Sequence, residues 1–188
     1  NKSNITYKNA LTVIAPDNIP FNYNQYINIA RQQPYVSDCP YLALCNNDLL
    51  FTKKWATNII NAMEREGVMS ACPMEPNIHS KVKFNDGVSE GKSITAGDRH
   101  VAGWCIVQNS KIYDTIKNLD TTCNFWHSDV FYAAQLRLHN LRHILVEDSK
   151  VHHLTSKTLN SPLISESTRA NYTHGQNPHL EELLRRNK

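Results

Sequence analysis

Tyr41-Leu-Ala-Leu-Cys-Asn-Asn-Asp-Leu-Leu-Phe51 is the stretch on which the fold turns. Its first five residues, Tyr41 to Cys45, form an apolar run of the length of a buried strand. The run stops in Asn46-Asn47-Asp48. Three polar side chains at the end of a buried strand are costly unless they bind or pair with something. In open α/β sheets the carboxyl ends of strands are where ligands sit. Asp48 offers the oxygen ligand that Mg²⁺ or Mn²⁺ prefers. An Asx-rich turn explains the same three residues on local grounds alone, so the rest of the chain decides between the two readings.

Around this stretch, strand-like and helix-like segments alternate. On its N-terminal side, Ala10 to Ile14 reads as a short strand. Phe21 to Gln33 reads as a helix with Tyr23, Tyr26, Ile27 and Ala30 on one side. On its C-terminal side, Thr52 is an expected N-cap for a helix over Lys53 to Glu66. Trp55, Ile59 and Met63 make its inward stripe, and Gly67 ends it. Val68 to Cys72 is a strand, and Pro73 to Ser93 a long loop or a pair of small strands. Ala102-Gly-Trp-Cys-Ile-Val107 is strand-like, with Gly103 permitting close approach of a ligand or another strand. Ser110 to Lys117 is a short helix. Trp126-His127-Ser128-Asp129 then opens a helix to about His139, capped by Ser128 and buried through Phe131, Ala134 and Leu138. Arg142 to Val146 and Lys150 to Leu154 are strands separated by a turn at Glu147-Asp148.

This order predicts an α/β layer fold with a central mixed sheet flanked by helices. It places one domain over residues 1–158 and a polar C-terminal tail over 159–188, the tail carrying a short helix from Leu180 to Arg186. The 188 residues fit one core, and a hydrophobic share of 40% against 20% charged is ordinary globular composition. A net charge of +3 is too weak to establish a nucleic-acid partner. No apolar run has membrane-spanning length. The five cysteines have no CxxC spacing and read as reduced core residues of a cytoplasmic protein. The Asn-, Lys- and Ile-rich composition points to an AT-rich genome such as that of a phage acting in its host's cytoplasm.

Three positions carry candidate chemistry. Asp48 is the first. Asp129, after a Trp and at a helix start, is a candidate general base, although helix-dipole complementation alone explains it and is the commoner case. His152-His153 is the third. Neighbours on a strand face opposite ways, so only one of the two histidines shares a face with Ser149 and Val151. His139-Asn-Leu-Arg-His143 has i, i+4 spacing but lacks the Glu of a zinc-protease helix, and is not a metal site.

In their order these segments resemble the GT-A glycosyltransferases, specifically the inverting family 2 group, over roughly residues 10 to 158. Asn24-Gln-Tyr-Ile27-Asn-Ile-Ala30 is similar to that family's Asn-x-Gly-Ile-x-x-Ala, with Tyr26 in place of Gly. Asn46-Asn47-Asp48 is similar to its strand end, followed by a Trp-bearing helix at Trp55. Gly103-Trp104 resembles its Gly-rich strand, and Ser128-Asp129 its Glu-Asp. Val151-His152-His153, with Ser156 and Thr158 beyond, resembles its Val-x-His segment. Leu50 stands where the second Asp of Asp-x-Asp is usual. The family's nucleotide-holding first strand has no clear counterpart: either the sequence as given is truncated or that strand is missing from it.

The resemblance implies a metal-assisted inverting transferase moving a hexosyl or pentosyl group from a nucleotide-diphosphate sugar, a UDP-sugar in first place, to an acceptor hydroxyl. Asp129 is then the base. Mn²⁺ or Mg²⁺ sits on Asp48 with His153 or His152. Asn46, Asn47, Asp48, Gly103 and Trp104 contact the donor, and Asn24, Trp126, His127 and Ser128 contact substrate. The acceptor is a carbohydrate or modified DNA. Trp104 or Trp126 offers a platform to a sugar ring, and the Pro73–Ser93 loop closes over the donor. Two alternatives stand beside it. One is a nucleotide-sugar-binding domain without catalysis, which Ser128 and Leu50 favour. The other is a basic nucleic-acid-binding module, resting on the slight positive charge and the Arg185-Arg186-Asn187-Lys188 tail.

Overall fold

The structure, a computed structural model, describes residues 22–94, 98–122 and 127–154. The expected strand at 10–14, Trp126, Ser156, Thr158 and the whole 159–188 tail lie outside the described residues. The chain is mixed α/β. Its helices are α1 (Tyr23–Ala30), α2 (Pro34–Ser37), α3 (Trp55–Glu66), α4 (Tyr113–Ile116) and α5 (Ser128–Leu138). Its strands are β1 (Tyr41–Cys45), β2 (Leu49–Phe51), β3 (Ser70–Met74), β4 (Val88–Glu90), β5 (Cys105–Asn109) and β6 (Ile144–His153).

Among the described residues six strands form a mixed sheet in the order β1-β5-β3-β6-β2, with β4 also on β6. β3 and β6 are parallel, and the other pairs are antiparallel. The apolar runs of β3, β5 and the first half of β6 account for its buried centre: Ala71, Cys72, Cys105, Ile144 and Leu145 are all fully buried. β1 lies at the end of the order and is only half buried, with Ala43 and Cys45 exposed. Tyr41–Cys45 is therefore an edge strand among the described residues, not the interior strand that its apolar run predicts.

α3 lies against β6 and β3. Its stripe is as expected: Trp55, Ile59 and Met63 are 6%, 0% and 1% exposed. Gly67 ends it in the left-handed conformation at φ 63°, where a Cβ is strained. Its N-cap is Lys54, not Thr52. The Thr52 hydroxyl instead donates to the carbonyl of Lys150, 2.8 Å away on β6. At the start of α5 the cap is His127, at φ 70°, and Ser128 is the first helical residue and buried. Leu138, expected inside, is 73% exposed, and Val130, Tyr132, Ala133 and Leu136 join Phe131 and Ala134 in the core.

The two expected strands at 142–146 and 150–154 are one ten-residue strand, β6. Its register against β3 slips between Pro73 and Met74, so that Val146 and Lys150 face consecutive β3 residues. Helix α3 fills the slip. The Ser149 hydroxyl donates to the Trp55 carbonyl at 2.8 Å, and the Asn58 amide to the Asp148 carbonyl at 2.6 Å. The slip carries the distal half of β6 to β2, where Leu49 faces His153 and Phe51 faces Val151. Gly103 and Trp104 lie in a turn just before β5, closed by a bond from the Cys105 N–H to the Ala102 carbonyl at 3.1 Å.

Helix α1 is held by asparagines. The side-chain amides of Asn22, Asn24 and Asn28 donate to the carbonyls of Thr121, Asp120 and Leu119 at 2.8, 2.6 and 2.8 Å. The Asn28 oxygen in turn accepts the Leu119 N–H at 2.8 Å. The Arg31 guanidinium, 4.0 Å over the Tyr113 ring, completes this clamp on the segment that leads toward α5.

Candidate functional site

β1 delivers Asn46–Asp48 to the turn that precedes β5, where the Asn46 N–H donates to the Trp104 carbonyl at 2.9 Å. β6 delivers His153 to the same place. The register Leu49↔His153 puts the histidine beside Asp48, and its Nε2 lies 3.2 Å from Asp48 Oδ1. The two side chains are 14% and 10% exposed. The contact has the separation of an ion pair without the alignment of a hydrogen bond. Asp48 Oδ1 and His153 Nδ1 are both buried and take part in no hydrogen bond among the described residues. His152 is exposed and registers with Leu50, itself 54% exposed, on the opposite face of the strand. Asp48 thus has His153 as its neighbour, and His152 is turned away from it.

Trp104 links this pair to the turn. Its ring stacks on His153 with centroids 5.7 Å apart and planes 24° apart, and His79 lies 5.9 Å away. Trp104 is only 4% exposed, so in this arrangement its face is covered by His153 rather than open to a sugar ring. Its indole N–H is buried and finds no partner among the described residues.

Asp129 reaches the same turn from α5. Its Oδ2 accepts the Gly103 N–H at 3.3 Å, and its Oδ1 accepts the Val130 N–H at 3.0 Å. A Cβ on Gly103 would stand 3.3 Å from the Asp129 Cβ, tighter than ordinary contact, so glycine permits this approach. From α1, the Tyr23 hydroxyl donates to the Gly103 carbonyl at 2.8 Å. Burial pushes that hydroxyl well above its usual range, and the neighbouring Cys45, Cys105 and Asp129 push it the same way, so Tyr23 stays a neutral donor. The Gly103–Trp104 turn is therefore gripped by Tyr23 and Asp129 on Gly103 and by His153 on Trp104.

The other expected contacts are distributed unevenly. Asn47 is exposed beside Asp48, and His127 and Ser128 adjoin Asp129 at the helix start. Asn24 is buried at 1% and spends its amide on the Asp120 carbonyl, so its place is in the α1 clamp. Tyr23 and His79 are the site neighbours that the sequence reading missed. Tyr23 falls in an amphipathic stripe and His79 in a segment without periodicity, so neither stands out in the sequence.

A divalent cation needs several hard or borderline donors. Asp48 and His153 supply two, and the buried oxygen of Asp48 that lacks a hydrogen bond fits such a role. Among the described residues, no group of three or more His, Cys, Asp or Glu is placed to hold a metal. Within the same residues no helix is long and apolar enough to cross a membrane. No protein-family model matches the chain, and no curated protein matches it.

Proposed function

We propose that the chain is a GT-A-type inverting glycosyltransferase that uses a nucleotide-diphosphate sugar, a UDP-sugar in first place. One observation carries this reading. Asp48, His153, Trp104, Gly103 and Asp129 are up to 105 residues apart in sequence, yet they form one continuous string of contacts at the ends of β1 and β6. Asp48 and His153 would hold Mn²⁺ or Mg²⁺. Such an ion supplies charge neutralisation to a departing diphosphate. In this reading Asn46 and Asn47, which border the pair, hydrogen-bond the donor. Asp129 retains lone pairs on both oxygens beyond the N–H groups it accepts, and in this reading it takes the proton from the acceptor hydroxyl. Tyr23 and Gly103 orient it. The acceptor is a carbohydrate or a modified DNA base.

A second reading has a specific observation in its favour. Both Asp129 oxygens already accept backbone N–H groups, as a purely structural carboxylate does. In that case the domain binds a nucleotide sugar without transferring it.

Calorimetry with UDP-sugars in the presence and absence of Mn²⁺ tests the shared core of both readings. Donor binding is expected to strengthen at least about tenfold with the metal, a difference of roughly 1.4 kcal/mol, and Asp48→Ala is expected to erase that difference. Equal affinities with and without metal in the native chain would remove Asp48 from the role.

A further inference from the structure

Beneath the Gly103–Trp104 turn lies chemistry that glycosyl transfer does not use. Cys45 ends β1, Cys105 begins β5, and the two are directly opposite in the antiparallel register. Their neighbours Asn46 and Trp104 are joined by the bond from the Asn46 N–H to the Trp104 carbonyl at 2.9 Å. Hydrogen-bonded and non-hydrogen-bonded pairs alternate along an antiparallel ladder, so Cys45 and Cys105 occupy a non-hydrogen-bonded position. There the Cα atoms approach to about 4.5 Å, inside the span of roughly 4.4–6.8 Å that a disulfide bridges. The sulfurs are 3.6 Å apart with both thiols free. The environments differ: Cys45 is exposed and Cys105 fully buried. This departs from the expectation that both are core thiols.

We propose that Cys45 and Cys105 are a thiol-modification site that closes to a cross-strand disulfide in the presence of an oxidised dithiol or a small-molecule disulfide. The exposed Cys45 thiolate attacks one sulfur of the reagent, forming a mixed disulfide and releasing one thiolate. Cys105 then gives up its proton and attacks the Cys45 sulfur, expelling the second thiolate. Two protein thiols lose two electrons and two protons, and the reagent disulfide is reduced to two thiols. Burial, with Cys45 beside it, holds the Cys105 thiol well above its usual range, so Cys45 acts first and closure is the slower step. Cys72 is a poor competitor, because burial pushes its thiol up to about 12. Closure ties the residue three before Asp48 to the residue after Trp104, cross-linking the strands that carry the candidate site. The sulfur chemistry stands whether or not the chain transfers sugar.

The test treats the whole native chain with glutathione disulfide, then alkylates, digests with trypsin and maps masses. The expected product has two fewer alkylatable thiols of the five and a linked pair of peptides 32–53 and 100–111, separated again by dithiothreitol. Peptide 32–53 also contains Cys39, so the experiment is repeated in Cys39→Ser, where the link persists. Cys45→Ser, a change at an exposed position, is expected to abolish it. A product that stops at glutathionylated Cys45 overturns the proposal. So does a link that is lost in Cys39→Ser or survives Cys45→Ser.

Discussion

Among the described residues, two of the polar clusters that contain histidine are built in opposite ways. In the first, the His143 Nε2–H donates to the His100 carbonyl at 2.8 Å, which leaves Nδ1 to accept from the Ser70 hydroxyl at 2.7 Å. Ser70 in turn accepts from the Tyr132 hydroxyl at 2.7 Å. His143 and Ser70 are 0% exposed and Tyr132 is 1%. Both ring nitrogens of His143 are used, and burial holds the imidazole down at about 4, so it is neutral under ordinary conditions. In the second cluster, Asp48, His153 and Trp104 stand close together, yet one polar atom on each is buried without a hydrogen bond among the described residues. A Ser–His pair that is sealed and satisfied is a structural device. An Asp–His pair that leaves buried polar atoms without hydrogen bonds among the described residues is not a sealed network of that kind.

Substitutions sharpen or break this contrast. The largest expected effect is on activity: Asp129→Asn is expected to lower transfer from a UDP-sugar by about 10²–10⁴-fold while donor binding persists. Normal turnover in that variant would leave Asp129 with only its structural role at the Gly103 turn. In the sealed cluster the effect falls on stability. His143→Ala removes a partner from Ser70 and from the His100 carbonyl and opens a cavity, so urea unfolding is expected to show a loss of about 3 kcal/mol. A loss below about 1 kcal/mol would mean that the network is not sealed as described.

His143 also predicts a pH dependence. Its folded value of about 4 lies below the ordinary 6.5, so between these values the unfolded chain binds the proton more readily. Stability from neutral His143 is complete above 6.5 and is lost as pH falls toward 4, by an amount on the order of 3 kcal/mol. Comparing urea midpoints of the native chain and His143→Gln across that window isolates this share, and parallel curves would contradict it. The smallest effect is expected in the α1 clamp. Asn28→Ala removes two bonds to Leu119 and is expected to cost about 1–2 kcal/mol, with donor binding unchanged, because the clamp lies outside the string of site contacts.

Part of this arrangement is legible in the residues. The four-residue spacing of Trp55, Ile59 and Met63 and the Gly67 stop define α3 because helix periodicity and the left-handed cap are local. Strand parity says that only one of His152 and His153 can look toward Asp48. The asparagines of α1 were less legible. Asn24 invites a ligand-contact reading, and its burial against Asp120 becomes visible only when a segment about 96 residues away is in place. The caps of α3 and α5 failed for a similar reason, since Thr52 was drawn to a β6 carbonyl and Ser128 into the core.

By itself the sequence determined the α/β alternation, the inward face of α3, and the set of residues with chemistry to offer. Each of these follows from patterns a few residues long. Only the tertiary structure decided that Asp48 pairs with His153, that Gly103 admits Asp129, and that Cys45 meets Cys105. Those meetings depend on strand register and on the slip in β6. A one-residue shift in either reverses every side chain's face, and nothing local in the chain specifies that shift.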